Sequence, residues 1–134
     1  MKGLTDLEEM LSTLKPRLSD AEYVFHTIPD GQYGDFQNLN PIASFQENEG
    51  LTLVLPRDTA EKQGIDCSGI FCCITLDVHS SLEAVGLTAA VAGTLTDHGI
   101  SANVIAAFYH DHIFVQKERA ADALQALEKL ASRG

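Results

Sequence analysis

The sequence predicts an α+β protein of two similar units, each of split βαβ type with an antiparallel sheet and its helices on one face. Three observations carry that prediction. Short segments rich in β-branched and aromatic residues alternate along the chain with segments of helical apolar spacing. Leu53-Val54-Leu55-Pro56-Arg57 lines up with Ile113-Phe114-Val115-Gln116-Lys117 at an offset of 60, and each segment closes a hairpin and leads into a helix. The element order reads α-β-β-β-α in the first half and β-α-β-β-α in the second, two variants of one split βαβ pattern.

Taken in order, Thr5-Asp6-Leu7-Glu8 is a capping box. Leu7, Met10, Leu11 and Leu14 follow at helical spacing until Pro16, so a helix is expected over 5–14. Tyr23–Ile28 has strand composition and Pro29-Asp30-Gly31 closes it as a turn. Gln32–Pro41 is polar and reads as a loop; its glycines at 31 and 34 are too weak a signal for a phosphate cradle. Ile42–Glu47 and Leu51–Leu55 read as a hairpin turning at Asn48-Glu49-Gly50. Pro56 ends the second strand, and Arg57–Gln63 is a short helix stopped by Gly64.

The second half opens with Gly69–Val78, whose apolar run Ile70–Leu76 suits a central strand. Ser80-Ser81-Leu82-Glu83 offers another capping box, and a helix is expected from there to His98, with Gly99 just past its end. Strands at Asn103–Phe108 and Ile113–Val115 flank a polar turn expected at Tyr109–His112. Residues 118–131 form the last helix, with Ala120, Leu124, Leu127 and Ala131 on one face. The expected division is 1–66 and 67–134. The expected core includes Leu7, Leu11, Leu53, Leu55, Phe71, Ile74, Ile105, Phe114, Leu124 and Leu127.

Composition narrows the partners. The 134 residues carry 19 acidic and 9 basic side chains, a net charge of -10, which repels nucleic acid and anionic membrane. No apolar run approaches the roughly 18 residues that a membrane span needs. The N-terminal Met-Lys-Gly-Leu-Thr-Asp-Leu-Glu-Glu has acids where a signal peptide would be apolar, so a cytoplasmic location is expected. Three cysteines, two of them adjacent, are not a disulfide framework.

Three stretches carry a family likeness: Ile74-Thr75-Leu76-Asp77-Val78, then Glu83-Ala84-Val85-Gly86-Leu87, then Leu95 through Val104. On them the second half resembles an ACT domain, the small ligand-sensing module of amino-acid metabolism. Asn103-Val104, Ala106, Phe108 and His112–Val115 look most like the ACT units of aspartate kinases. Glu47–Leu55 in the first half resembles small stand-alone tandem ACT proteins of uncharacterised role. The resemblance implies two ferredoxin-like, ACT-type units. The sequence departs from the family pattern in having Val85 where proline often precedes the glycine, and Glu83 in place of aspartate. No kinase, dehydratase or dehydrogenase pattern is read in these residues, so a sensor's output is expected to pass to a separate partner, or the protein only binds and buffers a ligand.

The resemblance places ligands at the junction of 81–87 with the following strand. The candidate ligand-binding residues are Ser81, Glu83, Val85, Gly86, Leu87, Asn103 and Val104. The chemistry agrees on its own terms. Gly86 permits close approach to the backbone, amides at a helix start hold a carboxylate, and Glu83 with hydroxyls suits an ammonium. The bland alternatives are that Ser80 or Ser81 only caps a helix, Gly86 only eases packing, and Asn103 only tolerates an unusual backbone angle. His110-Asp111-His112, with His98 or His79, is the one cluster with metal-binding chemistry; the competing reading is a polar hairpin turn. Cys72 and Cys73 point to opposite faces of a strand and cannot clamp one metal. There is no G-x-S-x-G, P-loop or G-x-G-x-x-G motif.

These observations predict a non-catalytic module binding a small polar ligand such as an amino acid, with no cofactor or metal. A homodimer and an unidentified partner enzyme are expected, with no nucleic acid and no membrane. A ligand-free protein-interaction module is the alternative, and a small metal-dependent enzyme built on the histidine turn is the third reading.

Overall fold

The computed structural model describes residues 9, 11–77 and 86–132. Glu9, Leu11 and Ser12 are helical; the rest of the helix expected over 5–14 falls largely outside the described residues. Strand β1 (Pro16–Pro29) follows, then β2 (Ala43–Glu47), β3 (Gly50–Pro56), helix α1 (Arg57–Lys62) and β4 (Phe71–Leu76). Helix α2 (Leu87–Asp97), strands β5 (Asn103–Ala106) and β6 (Asp111–Gln116) and helix α3 (Ala120–Ala131) complete the chain. The six strands hydrogen-bond in the order β2-β3-β1-β4-β6-β5. Pairs β1–β3, β2–β3 and β5–β6 are antiparallel.

The chain divides into two compact units. Asp20–Phe71 is one, and residues up to Ser19 join those from Cys72 onward in the other. The C-terminal edge of the inserted unit thus falls a few residues beyond the 66/67 point drawn from the sequence. Its N-terminal edge falls inside β1, because that strand runs for 14 residues instead of starting at Tyr23. Leu14, two residues before β1, and Leu18, near its start, pack with the core that contains β4.

In the Asp20–Phe71 unit, β1 and β3 pair from Tyr23↔Pro56 to Pro29↔Gly50. Alternation puts Leu51, Leu53 and Leu55 on one face with Val24, Leu39 and Ala60, all buried. The cover over that face is short. Helix α1 has six residues and buries only Ala60. Gln32–Pro41, expected to be a loop, contains one 3-10 turn, Gln37–Leu39, which buries Leu39. Gln46 pins the loop from β2: its Oε1 accepts from the amide of Tyr33 at 2.6 Å and its Nε2 donates to the carbonyl of Gly31 at 2.9 Å.

In the other unit, Cys72, Ile74 and Leu76 on β4 and Ile113 and Val115 on β6 face α2 and α3. Helix α2 buries Leu87, Val91 and Leu95, spaced by four. Helix α3 buries Ala120, Ala123, Ala126, Leu127 and Leu130. The Arg119 guanidinium donates to the carbonyls of His98 at 3.0 Å and Gly99 at 3.4 Å, satisfying acceptors left at the end of α2. The repeat read at an offset of 60 is visible in the backbone. Pro56 has φ -57 and ψ 137 and Gln116 has φ -57 and ψ 139, each at the point where a strand passes into a helix.

Four expectations need correction. Helix α2 starts at Leu87, directly after Gly86 with its left-handed φ of 96°; the capping box expected at 80–83 lies outside the described residues. The hairpin turn falls at 107–110, closed by the amide of Ala107 donating to the carbonyl of His110, so Asp111 and His112 belong to β6. Phe71, at the first position of β4, and Ile105, on the edge strand β5, are half-buried, and so is Leu124, which packs against the margin of the α2–α3 core. Leu11 is also only partly buried, against the α2–α3 core. Leu53, Leu55, Ile74, Phe114 and Leu127 are buried as expected, and Leu7 lies outside the described residues.

Candidate functional site

Gly86 stands immediately before α2 in a left-handed conformation that side-chain-bearing residues rarely adopt. Its carbonyl accepts the first helical bond, from the amide of Ala90 at 2.9 Å. Having no side chain, Gly86 cannot cap the helix, and among the described residues no side-chain hydrogen bond caps this end. First-turn amides lacking an internal partner are donors with a partial positive charge behind them. Leu87 is 1% exposed and its side chain belongs to the core, so only its backbone is available to a ligand.

Asn103 opens β5 opposite Phe114, and its Nδ2 donates to the Phe114 carbonyl at 3.1 Å. The side chain thus helps to hold the β5–β6 pair. Val104 is partly buried against the α2–α3 core. Ser81, Glu83 and Val85 lie outside the described residues, as does His79.

Sequence reasoning missed two polar contacts in this unit. Arg17, on β1, grips Asp77 just past the end of β4, with Nη2 at 2.8 Å from Oδ1 and Nε at 3.1 Å from Oδ2. That hydrogen bond, aided by the charges of Arg17, His110 and Lys15, holds the Asp77 carboxyl below its ordinary range. The partners are 60 residues apart, and no local pattern joins them. The second contact lies between Thr75 Oγ1 and His112 Nδ1, 3.0 Å apart. Burial, then the neighbouring His110, pushes the His112 pKa down. An alternating strand that includes His112 would have placed it beside Thr75's face of the sheet.

The histidine segment is therefore split between a turn and a strand. Among the described residues no three His, Cys, Asp or Glu side chains gather closely enough to hold a metal. Burial raises the Cys73 thiol pKa, which makes it a poor nucleophile at neutral pH. Among the described residues no helix is long and apolar enough to cross a membrane.

Repeated α+β units with strand-to-helix junctions of this kind define a class of regulatory modules. An ACT-domain family profile matches residues 2–73 and a second matches residues 70–129. The chain belongs to the ACT domain family, as a tandem pair. It is 55% identical to a Vibrio cholerae protein described as of unknown function and a possible transport protein. That match covers 96% of this chain and 98% of the other, with a TM-score of 0.86. The ligand-free regulatory subunit of aspartate kinase from Thermus thermophilus has the same fold at 13% identity, over 88% of this chain and 97% of that one, with a TM-score of 0.66. An Agrobacterium tumefaciens protein aligns at 16% identity over 88% and 89% of the two chains, with a TM-score of 0.60. No curated protein matches the sequence.

Proposed function

We propose that the chain is a non-catalytic ACT-type regulatory module that binds an amino acid at Ser81, Glu83, Val85, Gly86 and Leu87, with Asn103 and Val104 on the adjacent strand. The observation that carries this reading is the left-handed, side-chain-free Gly86 directly before the start of α2, which no described side chain caps. A ligand carboxylate accepts from the first-turn amides. Ser81 and Glu83 supply the acceptors that an ammonium needs, so the zwitterion as a whole is uncharged and the acidic chain does not repel it. Likeness to the regulatory subunits of aspartate kinases supports the amino-acid class. In this reading 1–66 and 67–134 are the units of the sequence repeat. The protein is a cytoplasmic homodimer, and the bound ligand favours one arrangement that a separate partner enzyme reads.

A thermal-shift screen against the twenty amino acids tests the proposal. At least one should raise the Tm, and Gly86→Val should abolish that rise while the variant still unfolds cooperatively. A Gly86→Val protein that binds normally refutes the location. The second reading, a protein-interaction module without a ligand, is favoured by Phe108 and Tyr109, stacked edge to face at the β5–β6 turn and 71% and 61% exposed. A flat screen across all twenty amino acids supports that reading instead.

A further inference from the structure

The Asp20–Phe71 unit holds an open groove of about 320 Å³ between β1, the Gln37–Leu39 turn and the end of α1. Ile28, Phe36, Leu39 and Ile65 are among its walls, and His26, Thr27 and Gln63 are its polar groups. The groove lies over the leucine face of the sheet. His26 pairs across from Leu53, and Val24 and Ile28 sit two residues to either side of it on the same face of β1. His26 is half-buried there, and among the described residues no side-chain hydrogen bond engages its imidazole.

Phe36 is the second observation. Its φ is 62°, in the left-handed region, and its ring is 47% exposed on the groove wall. For a bulky side chain that conformation is disfavoured, and such strain gathers at ligand clamps. Glycine or asparagine would serve the turn without strain if the turn were its only purpose.

We infer that this groove is a second small-molecule site, which takes a carboxylic acid with an aromatic or branched aliphatic body. The volume lies at the lower end of the roughly 300–1,000 Å³ of small-molecule sites, which fits a body of one ring or one branched chain. The four apolar walls bury that body. The head meets the imidazole N–H of His26 and the carboxamide NH₂ of Gln63, both donors, and hydrogen bonds to an ionised acceptor are the stronger kind. None of the residues lining the groove is acidic, and the chain's distant negative charge is screened beyond about 8 Å at physiological salt. The site is separate from the Gly86 junction and does not depend on it.

Chemical-shift titration of the labelled full chain tests the inference. Phenylacetate and isovalerate should move the methyl signals of Ile28, Leu39 and Ile65 and the ring signals of His26 saturably. Phenylacetamide, the same body with an uncharged head, should bind at least about tenfold more weakly, and so should acetate, which lacks the body. His26→Phe and Ile65→Trp should each lose the response. If neither variant stays folded, the comparison of acid with amide in the unaltered protein decides. Absence of saturable shifts with both acids overturns the inference. So does equal binding of the amide, shifts confined to Leu87 and Asn103, or an unchanged response in a folded His26→Phe protein.

Discussion

The two compact units share a strand-to-helix connection but differ in what covers their sheets. In the unit containing β4, β5 and β6, helices α2 and α3 have 11 and 12 residues, and among the described residues the core has 15 buried ones. The Asp20–Phe71 unit has one helix of six residues and a 3-10 turn, and a core of six buried residues. The strands are not the cause, because Leu51, Leu53 and Leu55 are as deeply buried as Ile74, Leu76 and Ile113. The difference lies in the helix layer. An amphipathic helix of three turns covers a sheet face with a stripe of side chains, whereas α1 covers it with one alanine. The poorly covered unit is the one with a groove beside its apolar face. Buried area therefore concentrates stability in one unit and leaves room for a ligand in the other.

Truncation of the larger core should have the largest effect. Leu95→Ala and Leu127→Ala remove fully buried side chains held between α2, α3 and the sheet, and each should cost about 2–5 kcal/mol in urea unfolding. Leu55→Ala in the smaller core should fall toward the low end of that range, because its surroundings can collapse into the space left. A larger loss at Leu55 than at Leu127 would break the comparison.

Gly50→Ala should come next. Gly50 has φ 151° and pairs with Pro29 at the end of the β1–β3 ladder, and an added Cβ would overlap the Ile28 carbonyl. The loss should exceed about 1 kcal/mol and appear as faster hydrogen exchange in β1 and β3 before the rest of the chain. Exchange that rises uniformly would show that the two units open together.

A pH effect should follow in the better-covered unit. The folded pKa of His112 lies below its ordinary value near 6.5, so between those two values the unfolded chain binds more protons than the folded one. Stability from this group is therefore present above pH 6.5 and lost as pH falls through that window. His112→Asn should flatten the dependence of unfolding free energy on pH there, and an unchanged slope would remove His112 as the cause. Asp77 acts in the same direction at lower pH, with stability lost as its depressed carboxyl pKa is approached. Arg17→Ala should have the smallest effect, because the pair is solvent-exposed and worth little. Any measurable loss should shrink as salt is added.

The parts of this comparison that were legible in the sequence are those set by local pattern. The apolar alternation of β3 and the break at Pro56 needed only neighbouring residues; of the α3 face read from sequence, Ala120 and Leu127 are buried, while Leu124 and Ala131 are half-buried and Ala123, Ala126 and Leu130 are buried in their place. The parts that were not legible depend on distant partners or on backbone angle. Strand composition is evident only from Tyr23, whereas β1 begins at Pro16. The start of α2 depends on the left-handed Gly86, and the place of the hairpin turn on an amide–carbonyl bond between Ala107 and His110. At the candidate site, Gly86 and Asn103 could be singled out by residue type. The core placement of Leu87 and the bond from Asn103 to Phe114 could not, because both arise from packing with residues remote in sequence. His26 gave no local signal, since only the strand register places it on the leucine face.

The proposed regulatory role rests most directly on where an amino acid binds. Titration of the labelled full chain with the amino acid giving the largest rise in Tm should move the backbone amides of Gly86, Leu87, Asn103 and Val104 saturably. Saturable shifts that leave those four amides unmoved, or no shift with any of the twenty amino acids at millimolar concentration, would contradict it.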